Sequence, residues 1–242
     1  MFEDYLERIT SNSVGYYNPI EMYNKNIKDN AKYLDLNTRL TSGVTDKSRI
    51  SLDWLPLASE EYKISANVKD YVVTPIAAIV SDMPNRNNQG FIQEDLTNFD
   101  TMTGRPRWQT FIGKCCFVEH DNTDVTKSLG TIIDASVQKL GNLKKIVILA
   151  AWDRTKNSSL VSDILNKKIT TYSMGADAKN FECSICGHNL SKSKCKHAYN
   201  GSRIQEDNKL FWYIGRKPVF FEISAVKTPA YISAENEKIY TL

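Results

Sequence analysis

Cys183, Cys186, Cys195 and His197 fall in one short window and read as C-x2-C-x8-C-x-H, the residue types and spacing of a metal site. Two cysteines held two residues apart can turn both sulfurs onto one ion, and a second pair returned by a short loop completes a tetrahedron around Zn²⁺. Gly187, directly after the second cysteine, suits the tight backbone turn of a zinc knuckle. Four protein ligands leave no open coordination position, so the zinc expected here is structural. His188 lies in the same window and is the alternative fourth ligand. With the window holding two of the three histidines, His120 is the remaining imidazole able to serve as a general base. It ends an apolar run and precedes "DNTD", so its ring is expected at a surface or cleft, where it can shuttle protons near neutral pH. Cys115 and Cys116 lie in that apolar run and read as small core residues.

These groups need a scaffold, and the chain supplies one mostly from strands. Residues 1–60 are rich in Asn, Tyr, Asp and Ser and read as an irregular arm with one short amphipathic helix over residues 2–9. The core is expected over residues 61–242. "YKISANVKDYVV" alternates apolar and polar residues and "TPIAAIVSDM" is a buried apolar run, which predicts two strands. "MPNRNNQGF" is turn chemistry, "IQEDLTNF" a short helix and "WQTFIGKCCFVEH" a strand ending at His120. "LGTIIDASVQ" and "KKIVILAAW" predict two strands joined at Gly141-Asn142, followed by a helix capped by Asn157 or Ser158. "ITTYSMG" and "PVFFEISAV" predict the last two strands, with the Cys/His segment, residues 181–200, as a loop excursion between them. Strands with few helices indicate an α+β domain on a mostly antiparallel sheet or small β-barrel.

Composition narrows the function classes. The chain has 242 residues, 31 basic and 28 acidic, and a net charge of +3, with the charges interspersed. No block of like charge suggests a nucleic-acid arm or a membrane-binding face, so neither partner is expected. The opening "MFEDYLERIT" lacks the basic start and apolar run of a signal peptide, and no segment is long enough to span a bilayer. An odd number of cysteines, clustered, fits a metal site in a reducing compartment better than a disulfide framework.

Four stretches in order resemble the prohead (capsid maturation) proteases of tailed bacteriophages, which share a fold with the herpesvirus assemblins. "VSDMPNRNNQGF" is similar to that family's strand and Asn/Gly turn, and "TFIGKCCFVEHDN" to its strand ending in the active-site histidine. "TTYSMGAD" is similar to its nucleophile strand and "FFEISAVKTPAY" to its closing strand. The likeness spans residues 62 to 234, and some large-phage members carry a knuckle just after the Ser-Met-Gly, as here. The resemblance implies that Ser173 is the nucleophile and His120 its base, since a hydroxyl attacks a peptide carbonyl only when a neighbouring imidazole takes its proton. It implies a third member that orients the imidazole, with Glu222 favoured and Asp134 the alternative. Backbone amides near Ser173 and Gly175 are the candidates to hold the oxyanion. The knuckle would fix the loop beside the active centre.

The function so implied is a serine endopeptidase that cleaves scaffold and major capsid proteins inside the assembling prohead, in the host cytoplasm. Homo-oligomer formation stays open. Two other classes compete with it: a catalytically inactive capsid or core protein of the same fold, and a zinc-knuckle binding module.

Overall fold

The computed structural model describes residues 54–200, 203–205, 208–231 and 233–234, and the backbone of 240–241. The helix expected over residues 2–9 and most of the expected arm lie outside these. Helix α1 (Trp54–Tyr62) buries Trp54, Ala58 and Tyr62, one stripe at every fourth residue. Trp54 stands edge-on to Tyr71 at 5.1 Å between ring centroids, and the Tyr62 hydroxyl donates to the Gly113 carbonyl. Burying one such side chain contributes about 2 kcal/mol. The boundary expected between residues 60 and 61 therefore cuts through a helix that belongs to the core.

A single strand, β1 (Tyr71–Val80), forms where two were expected. The reason is local. Asn67 caps a 3-10 turn over Val68–Asp70 by accepting from the Lys69 amide at 3.1 Å, and the Ser65 hydroxyl donates to Asp70 at 2.5 Å. Short polar side chains that bond to nearby groups compete with a sheet ladder, and here they win. The expected strand before His120 shortens likewise: Arg107–Phe111 is 3-10 helix and only Cys115–Val118 is strand, β3.

The elements that follow β1 in chain order are β2 (Gln89–Gly90), helix α2 (Gln93–Thr97), β3, β4 (Gly130–Leu140) and β5 (Leu143–Asp153). Helix α3 (Ser158–Leu165) comes next, with the Asn157 side chain capping it through the Leu160 amide at 2.9 Å. Then come β6 (Tyr172–Asp177), β7 (Asn180–Cys183), α4 (Lys196–Asn200), β8 (Tyr213–Arg216), β9 (Val219–Ala225) and β10 (Tyr240–Thr241). Seven strands make one sheet in the order β10-β1-β5-β4-β3-β9-β6, antiparallel except for the β3 and β9 pair. Pro75, which cannot donate to a ladder, sits in β1 beyond the two residues that pair with β10, so its missing amide costs no bond there.

Extra residues at Ala78, Ile133 and Phe221 interrupt the registers of β1, β4 and β9. Bulges bend and twist a strand, and the sheet curls into a half-barrel. β1 and β6, near opposite ends of the strand order, approach each other over the core, where Trp152 of β5 packs against Tyr172 of β6 at 5.8 Å and donates to Thr74 of β1 at 2.8 Å. The architecture is α+β on a mostly antiparallel sheet, as expected.

The expected loop excursion is more ordered than a loop. β2, β8 and β7 form a second, three-stranded sheet with β8 in the middle. The β7–β8 pair continues the β6–β9 pair, so one antiparallel ribbon runs from the large sheet into the small one. Where it passes from one to the other, Arg216 ties it to Asp95 of α2 at 2.7 Å and to Glu182 of β7 at 3.1 Å. No helix among the described residues is long and apolar enough to cross a membrane.

Candidate functional site

Alternation along β6 decides which groups can do chemistry. Tyr172 lies opposite Ala225 and Met174 opposite Ile223, and this set joins the apolar core. Ser173 lies opposite Ser224 and Gly175 opposite Glu222, so these four share the other face of the pair. On the far side of β9, β3 runs parallel to it and leads into the turn that carries His120. β9 thus brings two distant segments together, with the histidine turn on one flank and the serine strand on the other.

Glu119 and His120 both have positive φ, +46° and +59°, a conformation uncommon for residues with side chains. Two consecutive left-handed residues turn the chain back over β9. His120 Nδ1 then lies 2.8 Å from Glu222 Oε1. The Glu222 carboxylate is fully buried, while the imidazole is one-third exposed. Nδ1–H donating to the carboxylate leaves Nε2 as the nitrogen whose lone pair can take a proton. Burial is the largest influence on His120 and lowers its pKa, but the hydrogen bond and charge of Glu222, aided by Glu119, outweigh it and leave the imidazole above its usual value.

Gly175 explains why a glycine follows Ser173 by two residues. A Cβ at that position would stand 2.3 Å from the Phe221 ring, 2.6 Å from Glu222 Oε1 and 2.8 Å from Glu222 Cγ. The glutamate occupies the volume a side chain would fill, so any larger residue would press on the carboxylate that reaches His120.

Of the two carboxylates weighed for the third role, Glu222 contacts the imidazole. Asp134 is directed elsewhere: β4 is antiparallel to β3 with Thr131 opposite Cys115, so Asp134 lies beyond the end of β3 remote from His120. Its Oδ1 accepts the Ala135 amide at 2.8 Å. Cys115 and Cys116 are buried, as expected. Burial pushes the Cys115 thiol up to about 12, so it stays protonated and is no rival nucleophile.

Sequence reasoning missed Ser224. Its hydroxyl donates to Glu222 Oε2 at 2.6 Å and accepts the His120 backbone N–H at 3.2 Å. The two-residue spacing in "FFEIS" was the available signal, since it puts Ser224 and Glu222 on one face.

The metal-binding group stands at the other end of the ribbon. Cys183, Cys186, Cys195 and His197 offer ligand atoms that all lie within 4.8 Å of one another. A tetrahedral ion with bonds of about 2.3 Å to sulfur and 2.0–2.1 Å to nitrogen has sulfur-to-nitrogen edges of about 3.6 Å. His197 Nδ1 is 3.5 Å from Cys183 Sγ and 3.8 Å from Cys195 Sγ, two edges close to that value. Gly187 has φ +70° and donates to the Cys183 carbonyl at 2.9 Å, and the Ile185 amide points at Cys183 Sγ, 3.4 Å away. His188 turns away, with Nε2 2.9 Å from the Ser193 hydroxyl. The set is compatible with a structural metal. The Cys/His group begins at Cys183, the last residue of β7 in the small sheet, and not on the strand that carries Ser173, so it lies at the ribbon's distal end.

The chain matches no family model, no curated protein and no solved structure.

Proposed function

We propose that the chain is a serine endopeptidase of the prohead-maturation type, with Ser173 as nucleophile, His120 as general base and Glu222 as the carboxylate behind it. The observation that carries the reading is the 2.8 Å contact between His120 Nδ1 and the buried Glu222, on the strand that pairs Ser173 with Ser224. A buried carboxylate on Nδ1 fixes the tautomer and stabilises the imidazolium that forms when Nε2 takes a proton. In the proposed reaction the Ser173 hydroxyl adds to the scissile carbonyl as its proton passes to His120. Collapse of the adduct expels the amine, which takes that proton from the imidazolium. Water then adds to the acyl-enzyme with His120 again as base, and the acid leaves as Ser173 is regenerated.

The substrates proposed are scaffold and major capsid proteins, cleaved inside the prohead in the host cytoplasm; the support is the resemblance of the four ordered stretches. Zinc is the ion proposed for the Cys3His group, in a closed structural site that holds the ribbon and takes no part in the reaction. A fluorophosphonate probe tests the assignment. Wild-type protein should be labelled on Ser173, with one equivalent bound. Ser173→Ala should lose all labelling and all cleavage of a co-expressed scaffold protein while keeping its metal. Undiminished labelling or cleavage in Ser173→Ala would overturn the protease reading.

A further inference from the structure

Ser224 is fully buried, and both hydrogen-bonding capacities of its hydroxyl are directed at the candidate site. The proton goes to Glu222 Oε2, at 2.6 Å, the oxygen that His120 does not use. A lone pair takes the His120 backbone N–H, at 3.2 Å, in a turn where Glu119 and His120 both hold left-handed φ. A serine that merely filled space in a strand would satisfy itself on a nearby carbonyl. This one joins the general base, through its backbone, to the carboxylate that orients its ring.

We propose that Ser224 is a positioning residue of the peptidase, holding the Glu222 carboxylate and the His120 turn in register with each other. The proposal rests on the protease reading for its catalytic meaning. It does not touch substrate; Ser173, directly opposite it on β6, is the residue that would. Charge-assisted O–H to carboxylate bonds near 2.6 Å are strong, and a buried carboxylate held by two donors has little freedom to rotate.

Removing the hydroxyl has two consequences of known sign. The His120 amide loses its acceptor, which loosens the turn. The carboxylate loses a donor that drew on its charge, so the imidazolium becomes its main compensation and the imidazole should hold its proton to higher pH. The other charged group acting on the ring is Glu119 in the same turn, whose Oε1 accepts the Lys227 backbone N–H at 3.0 Å. That contact does not involve Ser224, so it persists in the variant.

The test combines a rate with a titration. Ser224→Ala should lower the maximal rate of fluorophosphonate labelling about 10-fold. It should also raise the His120 titration midpoint by about half a pH unit, followed by NMR of the imidazole in a Ser173→Ala background where no acylation occurs. Ser224→Thr, which keeps the hydroxyl, should restore both. An unmoved or lowered midpoint would overturn the proposal, and so would a loss of rate that tracks thermal stability and that threonine fails to restore. Because the titration needs no catalysis, a wild-type protein that took no label would sink the protease reading while leaving the role of Ser224 to be read from the midpoint.

Discussion

The two sheets solve opposite problems with polar residues. The large sheet closes over an apolar core that includes Trp54, Trp152, Tyr172 and Phe220, all fully buried. On that foundation it carries a buried glutamate, Glu222, whose charge lowers stability unless it is hydrogen-bonded and paired. The small sheet has a core of Cys183, Ala198 and Phe211, with Ile185, Leu190, Cys195 and Tyr213 packed against it. Two of those seven, Cys183 and Cys195, belong to the group able to hold a metal. A three-stranded sheet with so little apolar burial needs a staple, and the zinc proposed for the Cys3His group would provide one. In the large sheet apolar packing supports a polar site; in the small one the proposed metal site would support the packing.

That contrast breaks most visibly at Cys186. Structural zinc in small domains contributes about 10–16 kcal/mol of binding free energy, most of it expressed as folding. Cys186→Ser, or a strong chelator, should therefore remove the proposed ion and unfold the small sheet, seen as rapid amide exchange over residues 180–183 and 213–216. The large sheet should keep its protection. Loss of both sheets together, in one cooperative step, would mean that the metal supports the whole chain and that the contrast is false.

At Glu222 the effect should be confined to the other sheet. Glu222→Gln should lower the labelling rate on the order of 10³–10⁴-fold, because the amide can stabilise the wrong imidazole tautomer and no longer supports the imidazolium. It should also shift the pH dependence. The base works when neutral, so wild-type labelling should rise through a midpoint above the ordinary imidazole value of about 6.5. With the carboxylate gone, burial is the dominant influence and that midpoint should fall below 6.5. Metal content should not change.

Gly175→Ala is a milder version of the same break. The new methyl meets Phe221 and Glu222, and Glu222 can retreat only by giving up part of its contact with His120. Overpacking of this kind costs about 1–3 kcal/mol. A labelling rate reduced about 10- to 100-fold with the metal retained is the expected result. A fully active Gly175→Ala protein would show that the glutamate need not sit where it does.

The legible parts of this molecule were those whose signal is local. The ligand spacing, the Gly141-Asn142 turn between β4 and β5, and the cap at Asn157 each depend on a few consecutive residues. The glutamate's place beside His120 followed from a resemblance and not from pattern, because which strand lies next to which is a long-range property of the sheet. Ser224 was missed for the same reason: its two partners reach it from separate directions, Glu222 from its own strand and His120 from the turn after β3. The extent of the first expected strand went wrong where Ser65 and Asn67 bonded locally, a competition that alternation does not register. The small sheet was hidden because β2, β7 and β8 have two to four residues each, too short for any period to show.

The smallest expected effect is a difference in sign. His120 has a folded-state pKa above its ordinary value, so its interaction with Glu222 stabilises the large sheet fully below about pH 6.5 and loses that contribution as pH rises through the raised midpoint. The ring is 33% exposed, and solvent screening holds the contribution to under about 1 kcal/mol. The small sheet should respond the other way. Cysteines hold a metal as thiolates, so with the proposed zinc bound, proton competition would weaken the site as pH falls and the small sheet would gain stability as pH rises. Hydrogen exchange read separately over residues 71–80 and 180–183, between pH 6 and 8 and corrected for intrinsic exchange rates, would resolve the two trends. His120→Gln should flatten the first trend and leave the second alone. If both sheets gained stability with pH in the wild type, and His120→Gln changed neither trend, the His120–Glu222 pair would contribute nothing measurable to the fold.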